Sequence, residues 1–302
     1  MSRLKAILTL VRFPNLVFVV LTQLFTYYFI IYSVLSREAV SVRLPTFHFV
    51  LLCLSTFFIA AAGYIINDYF DISIDAINKP QKVTIEKVFK RRQVIIWHIV
   101  LNIIAMALAA YISIKNLQLR YVGFQLISIF LLVFYSTTFK RKLFIGNLTI
   151  AILTALTLYV VAAYEPAFNI FDLDFPHVKL FWVYVIFSFF ITLIREIIKD
   201  IEDVKGDSFQ HCKTIPLVFG IQFAKNFVYF LLLIVSFFLV FTSIYFFSFN
   251  VILSLFLFLT VLVPLILISI KLYHAKNSKE FHQISTYIKW VTLFGIVSMI
   301  FI

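Results

Sequence analysis

Acidic residues are scarce in this sequence, only 14 in 302, and eight of them crowd into two short windows. The first window is Asn67-Asp68-Tyr69-Phe70-Asp71-Ile72-Ser73-Ile74-Asp75. The second runs from Arg195-Glu196 through Lys199-Asp200-Ile201-Glu202-Asp203 to Gly206-Asp207. Both read Asp-x-x-Asp-x-x-x-Asp, and Asp68, Asp71 and Asp75 align with Asp200, Asp203 and Asp207 at a constant offset of 132 residues. On a continuous helix, positions i, i+3 and i+7 share one face, so each cluster is expected to present its carboxylates together. Converging carboxylates without compensation repel and protonate. A hard divalent cation with oxygen ligands removes that conflict, and Mg²⁺ is usually held by one or two carboxylates plus substrate phosphates. The chemistry expected is a phosphorylated or diphosphorylated substrate bridged by metal to both clusters. The bland rival, ordinary charged helix ends at a membrane interface, does not account for the recurrence of one spacing.

The elements that carry these clusters follow from composition. The chain is 63% hydrophobic and 13% charged, with mean hydropathy +1.03, whereas soluble domains run at about 25% charged. With 38 Phe and only 6 Gly, long helices are favoured over a turn-punctuated barrel. Spans of about 20 apolar residues fall near 14–34, 47–66, 94–113, 119–137, 145–164, 179–198, 225–246, 250–270 and 285–302. The first is too long for a cleavable signal and no small-residue cleavage site follows it. The fold class expected is all-α, a polytopic membrane protein of about nine transmembrane helices in one bundle. It forms a single domain over 1–302, with repeat halves of approximately 1–142 and 143–302.

Lys and Arg concentrate before the first span and after spans two, four, six and eight, which places the N-terminus and both acidic clusters in the cytoplasm. Spans two and six run in the same direction, so the repeat is parallel rather than inverted. The net charge of +12 is explained by this topology and by anionic headgroups, and nucleic acid is not expected as a partner. Cys53 lies in a span and Cys212 in a cytoplasmic loop, so no disulfide is implied. The expected location is a bacterial or archaeal cell membrane.

At these residues the sequence resembles the UbiA superfamily of intramembrane aromatic and lipid prenyltransferases. The first window is similar to that family's Asn-Asp-x-x-Asp-x-x-x-Asp motif in full. The second is similar to its Lys-Asp-x-x-Asp-x-x-Gly-Asp form through Lys199, Asp200, Asp203, Gly206 and Asp207. Supporting matches are Arg12-Phe13-Pro14-Asn15, Asn78-Lys79-Pro80, Tyr135-Ser136, Lys140-Arg141, Gly146-Asn147 and Thr214-Ile215-Pro216. The resemblance implies a nine-helix bundle around a lipid-accessible cavity, and Mg²⁺-dependent ionisation of an allylic diphosphate followed by attack of an acceptor. It implies one Mg²⁺ on Asp68, Asp71 and Asp75 and another on Asp200, Asp203 and Asp207, the six serving as catalytic and metal-binding groups.

Contacts implied in the same way are Lys140, Arg141 and Lys82 for the diphosphate, although topology alone would also put Lys140 and Arg141 after a span end; Asn67 would support the first metal site, and Lys199 is a further substrate-binding residue. Asn15 either contacts substrate or caps the first span, and Tyr135 either meets the diphosphate or belongs to the interfacial aromatic belt. Two stretches depart from the family pattern. Gln81-Lys82-Val83-Thr84-Ile85-Glu86-Lys87 replaces a second basic-proline pair and a Pro-x-Ser-Gly turn, and His211-Cys212 stands near a position often held by glycine. His211 reads better as a solvated loop residue than as a base. The partners implied are a prenyl diphosphate, a lipid or aromatic acceptor, and membrane lipid; the sequence names no protein partner. The wording Lys-Asp-x-Glu-Asp-x-x-Gly-Asp after Arg195-Glu196 favours a geranylgeranyl group as cargo and geranylgeranylglyceryl phosphate as acceptor over an aromatic quinone precursor such as 4-hydroxybenzoate, dihydroxynaphthoate or homogentisate. A cation or phosphate-ester transporter is the alternative from another class, since intramembrane acids often mark ion paths.

Overall fold

The computed structural model describes residues 2–73, 76, 84–116, 118–209 and 212–302. Asp75, Asn78, Lys79, Pro80, Lys82 and His211 lie outside the described residues. Among those described, nine helices are long and apolar enough to cross a membrane: α1 Phe13–Arg37, α2 Thr46–Phe70, α3 Arg91–Lys115, α4 Arg120–Thr137, α5 Ile145–Tyr164, α6 Pro176–Glu202, α7 Ile221–Phe247, α8 Val251–His274 and α9 Ser278–Phe301. Their outward faces stay apolar. Phe237 and Ile244 on α7 are 73% and 71% exposed, which suits lipid and not water. The chain is an integral membrane protein.

Every expected span is present, and most run past their hydropathy limits into polar turns. The largest difference is α9, which begins at Ser278 rather than 285. Its extra turns are polar and are held by a capping box: Asn277 Oδ1 accepts the Glu280 N–H at 3.0 Å and a Glu280 carboxylate oxygen accepts the Asn277 N–H at 3.2 Å. Hydropathy cannot see such a start.

The 132-residue offset of the motifs extends to the backbone. Both α1 and α5 follow a non-glycine residue in the left-handed region, Arg12 at φ 49° and Phe144 at φ 63°. Those positions differ by 132, as do the helix starts Phe13 and Ile145. α2 packs on α1, α3 and α4, while α6 packs on α5, α7 and α9. The end away from the motifs is closed by polar knots. Glu165, 1% exposed, accepts backbone N–H groups of Arg43, Leu44 and Ala167 at 2.8–3.1 Å. Tyr121 and Tyr164 stack at 4.1 Å, and the Tyr164 hydroxyl donates to Tyr121 O at 2.9 Å.

At the motif end, the stretch from Thr84 builds a tight cap, with the Glu86 N–H donating to Phe89 O and the Val88 N–H to Thr84 O, both at 2.8 Å. Glu86 takes φ 69° and meets Arg91 at 2.6 Å. Ile85, Phe89 and Val94 then pack with Ala6, Leu10 and Ile65 in a small cluster of their own.

Candidate active site

Asp68 lies in the last turn of α2 and Asp71 caps it; Asp200 lies in the last turns of α6 and Asp203 caps that helix. The two caps share one conformation, φ −96°, ψ 3° at Asp71 and φ −98°, ψ 9° at Asp203. Each cap N–H donates four residues back, to Asn67 O at 3.0 Å and to Lys199 O at 2.8 Å. A helix C-terminus carries partial negative charge, so it is the wrong place for a carboxylate unless a cation compensates. Two helices breaking this rule in the same way at matched positions mark a site built for positive charge.

The helices end sooner than the spacing alone suggests. The three aspartates of the second cluster do not share one continuous helical face: α6 stops at Glu202, and Asp207 lies on a separate short helix, Val204–Phe209. The Gly206 and Asp207 N–H groups both donate to Asp203 O, at 3.0 and 3.1 Å. A turn at the capping aspartate satisfies carbonyls that the helix end would leave bare, and it gathers the cluster instead.

Cations already meet the first cluster. Arg12 Nη2 reaches Asp68 Oδ1 at 2.8 Å while its guanidinium lies 5.2 Å over the Tyr64 ring. Lys140 forms an ion pair with Asp71. Burial, and then the neighbouring Arg141, pull the Lys140 ammonium down to about 7; contact with the Asp71 carboxylate opposes that pull and favours the charged form. The Lys140 turn sits tightly on the start of α5, where a Cβ at Gly146 would come within 2.8 Å of Lys140 Cα. Arg141 O accepts the Lys213 N–H at 3.0 Å, tying the loop after α4 to the one after α6.

Amides hold the carboxylates. Asn67 Nδ2 donates to Asp71 Oδ2 at 2.8 Å, and Asn147 Nδ2 donates to Asp200 Oδ2 at 2.8 Å. Asn67 Oδ1 is buried beside them with no hydrogen-bond partner among the described residues. A buried amide oxygen without a donor, set among carboxylates, is a hard-oxygen donor set of the kind Mg²⁺ takes. Among the described residues no three His, Cys, Asp or Glu side chains converge on one point. One or two carboxylates per ion, completed by phosphate oxygens, is the arrangement that fits.

Below the clusters a cavity of about 260 Å³ runs into the bundle between α1, α2, α4, α5, α6 and α9. Its mouth holds Asn15, Asn67, Tyr135 and Lys199; its depth is walled by side chains such as Phe18, Ile59, Leu132, Leu153 and Phe187. Charge at the rim over an apolar shaft suits a ligand with an anionic head and a hydrocarbon tail. The aspartates themselves do not line the cavity, but the residues just before Asp68 and Asp200, Asn67 and Lys199, do. Lys199 is engaged with Glu196 at 2.8 and 3.2 Å. Asn15 accepts from Lys289 Nζ at 3.2 Å; it lies inside α1, whose N-cap is Arg12, and so does not cap the span.

Sequence reasoning passed over Arg12, Tyr64, Asn147, Arg195 and Lys289 as site residues. The offset could have found one of them, because Asn147 lies 132 residues after Asn15. Lys289 carried another signal, being a lone cation inside an apolar span.

A model of the UbiA prenyltransferase family matches residues 26–293 of the chain. The chain is 31% identical over 248 residues to the digeranylgeranylglyceryl phosphate synthase of Methanosphaera stadtmanae, covering 81% of this chain and 84% of that protein. It is also 31% identical to the enzyme of that name from Saccharolobus solfataricus, over 80% of each. Among solved structures it superposes on a digeranylgeranylglyceryl phosphate synthase with TM-score 0.66 and 22% identity over 99% of both chains. It superposes likewise on a UbiA homolog from Archaeoglobus fulgidus bound to GPP and Mg²⁺, with TM-score 0.63 and 15% identity over 97% of this chain and 99% of that one. These likenesses show that the fold is the same.

Proposed function

The chain belongs to the UbiA prenyltransferase family, and from that premise we propose that it moves a prenyl group, geranylgeranyl in character, from its diphosphate to a glyceryl phosphate lipid. The observation that carries this reading is the pair of matched C-capping aspartates, Asp71 and Asp203, set above an amphipathic cavity. The name shared by the relatives points to the acceptor, and the GPP and Mg²⁺ of the Archaeoglobus homolog point to the donor and the metal.

Asp68, Asp71 and, by sequence, Asp75 would hold one Mg²⁺, and Asp200, Asp203 and Asp207 the other. Mg²⁺ there supplies a hard Lewis acid that neutralises charge on diphosphate oxygens. Asn67 and Asn147 fix the carboxylates they bond, so that little reorganisation is left for the reaction. Lys140 and Arg141 bring positive charge to the departing diphosphate, which leaves with the electron pair of the broken C–O bond. The apolar shaft takes the prenyl chain and keeps water from the allyl cation. Tyr135, at the mouth, offers a ring face toward that cation. The acceptor hydroxyl oxygen then forms the new C–O bond and releases its proton.

The same reading puts the motif end and the N-terminus on the cytoplasmic face of an archaeal-type membrane, supported by the Lys and Arg distribution. Purified protein supplied with geranylgeranyl diphosphate, Mg²⁺ and either geranylgeranylglyceryl phosphate or 4-hydroxybenzoate tests the acceptor. Turnover with the glyceryl phosphate is expected; turnover with the aromatic acid alone overturns the reading.

A further inference from the structure

The transfer leaves one proton to place. An alcohol oxygen that bonds an allyl cation becomes a protonated ether, a strong acid, so even a weakly basic carboxylate can take its proton. Arg12, Arg195, Lys199 and Lys289 line the cavity as cations, and Tyr64 and Tyr135 bring phenols to it. Cations and phenols are poor proton acceptors near neutral pH. Among the described lining residues Glu196 is the one carboxylate.

Glu196 lies on α6 four residues inward from Asp200, about 6 Å along the helix axis. The residue is 8% exposed. Its Oε1 accepts Arg195 Nη1 at 3.1 Å and Lys199 Nζ at 2.8 Å, and its Oε2 accepts Lys199 Nζ at 3.2 Å. The two cations orient the carboxylate and offset its cost inside an apolar bundle. They also load its oxygens unequally: Oε2, with the single longer bond, keeps room for another donor. Thr192 and Ser188 follow four and eight residues deeper and line the same cavity. Residues four apart share a helix face, so α6 sets Glu196 at the top of a polar stripe suited to glyceryl oxygens.

We propose that Glu196 is the proton acceptor of the transfer, its Oε2 taking the hydroxyl proton of the lipid acceptor as that oxygen bonds the allylic carbon. The donor C–O bond breaks and its electron pair leaves with the diphosphate. The acceptor oxygen forms the new C–O bond and keeps the electron pair of its O–H bond. The proton ends on Glu196, which becomes a neutral carboxylic acid until the products depart and water at the mouth takes the proton away. A carbon bonded to a diphosphate at the aspartates enters the cavity one helical turn above this stripe, so the hydroxyl that attacks it stands beside Glu196. The inference rests on the reading of the acceptor as a glyceryl phosphate lipid and supplies the base which that reading needs.

The test compares wild type, Glu196→Gln and Glu196→Asp in transfer from geranylgeranyl diphosphate to geranylgeranylglyceryl phosphate with Mg²⁺, alongside melting temperature in detergent. In Glu196→Gln, kcat is expected to fall about a hundredfold or more, with the KM of each substrate within about threefold of wild type. Glu196→Asp keeps the carboxylate one methylene short of its place, and its kcat falls about tenfold. It carries the test alone if the Gln variant melts early. Wild-type kcat in either folded variant overturns Glu196 as the proton acceptor and leaves that role to the departing diphosphate. An equal loss in the two variants, or a donor KM raised as much as kcat falls, also overturns it, since the carboxylate would then act only by holding Lys199 and Arg195. These outcomes leave the proposed function standing. Wild type that never turns over the glyceryl phosphate overturns the proposed function, and the base with it.

Discussion

Asn147 offers a direct test of how the second cluster is held. The residue is 7% exposed, and its Nδ2 donates to Asp200 Oδ2 at 2.8 Å. A hydrogen bond to a charged group contributes about 1.5–3 kcal/mol, and losing an outer partner of a metal ligand typically costs about 10–100-fold in metal affinity. Asn147→Leu keeps roughly the same volume and removes the donor, so the Mg²⁺ concentration for half-maximal prenyl transfer is expected to rise about 10–100-fold. Saturating Mg²⁺ recovers most of the rate, because the carboxylates themselves remain. The assay is a Mg²⁺ titration of transfer from labelled geranylgeranyl diphosphate. An unchanged midpoint in a variant that melts like wild type refutes the claim that Asn147 positions Asp200 for metal.

Three further outcomes follow from packing and charge. Gly146→Ala forces its Cβ against Lys140 Cα, so the Lys140 turn shifts; a loss of about 1–3 kcal/mol of stability and lower kcat/KM are expected, read by thermal unfolding in detergent and by transfer assay. Arg12→Gln removes the 2.8 Å bridge to Asp68 and the stacking over Tyr64, and transfer should fall about tenfold or more, whereas wild-type rates would show that this pair is only structural. Glu165→Gln replaces a carboxylate that gathers three backbone N–H groups far from the motifs. It should lower stability by about 1–3 kcal/mol while both KM values hold, and a changed donor KM would contradict the separation of the two ends.

Much of this is legible in the residues. Apolar runs mark nine spans, and the 132-residue offset marks two clusters at the ends of parallel spans. The offset proves deeper than the motifs, since Arg12 and Phe144 share a left-handed backbone and Asp71 and Asp203 share a cap. Membership of a prenyltransferase family removes the transporter alternative. What stayed hidden depends on where chains turn and which way side chains point. Spacing suggested one helical face for each cluster, but helix termination at Asp203 is a local backbone event that the i, i+3, i+7 pattern does not encode. The capped start of α9 was invisible to hydropathy because Glu280 and His282 look like loop residues until their partners Asn277 and Glu202 are known. Arg195 and Lys289 carry no assignment in the sequence, since only the packing of α6 on α9 turns them toward one cavity.

The central claim is that the two capping aspartates act as a matched pair in one metal-dependent step. Single variants Asp71→Asn and Asp203→Asn, assayed for Mg²⁺-dependent diphosphate release and prenyl transfer, test it most directly. Both rates are predicted to fall at least about a hundredfold in each variant, with melting temperatures near wild type. Either variant retaining wild-type transfer would contradict the account.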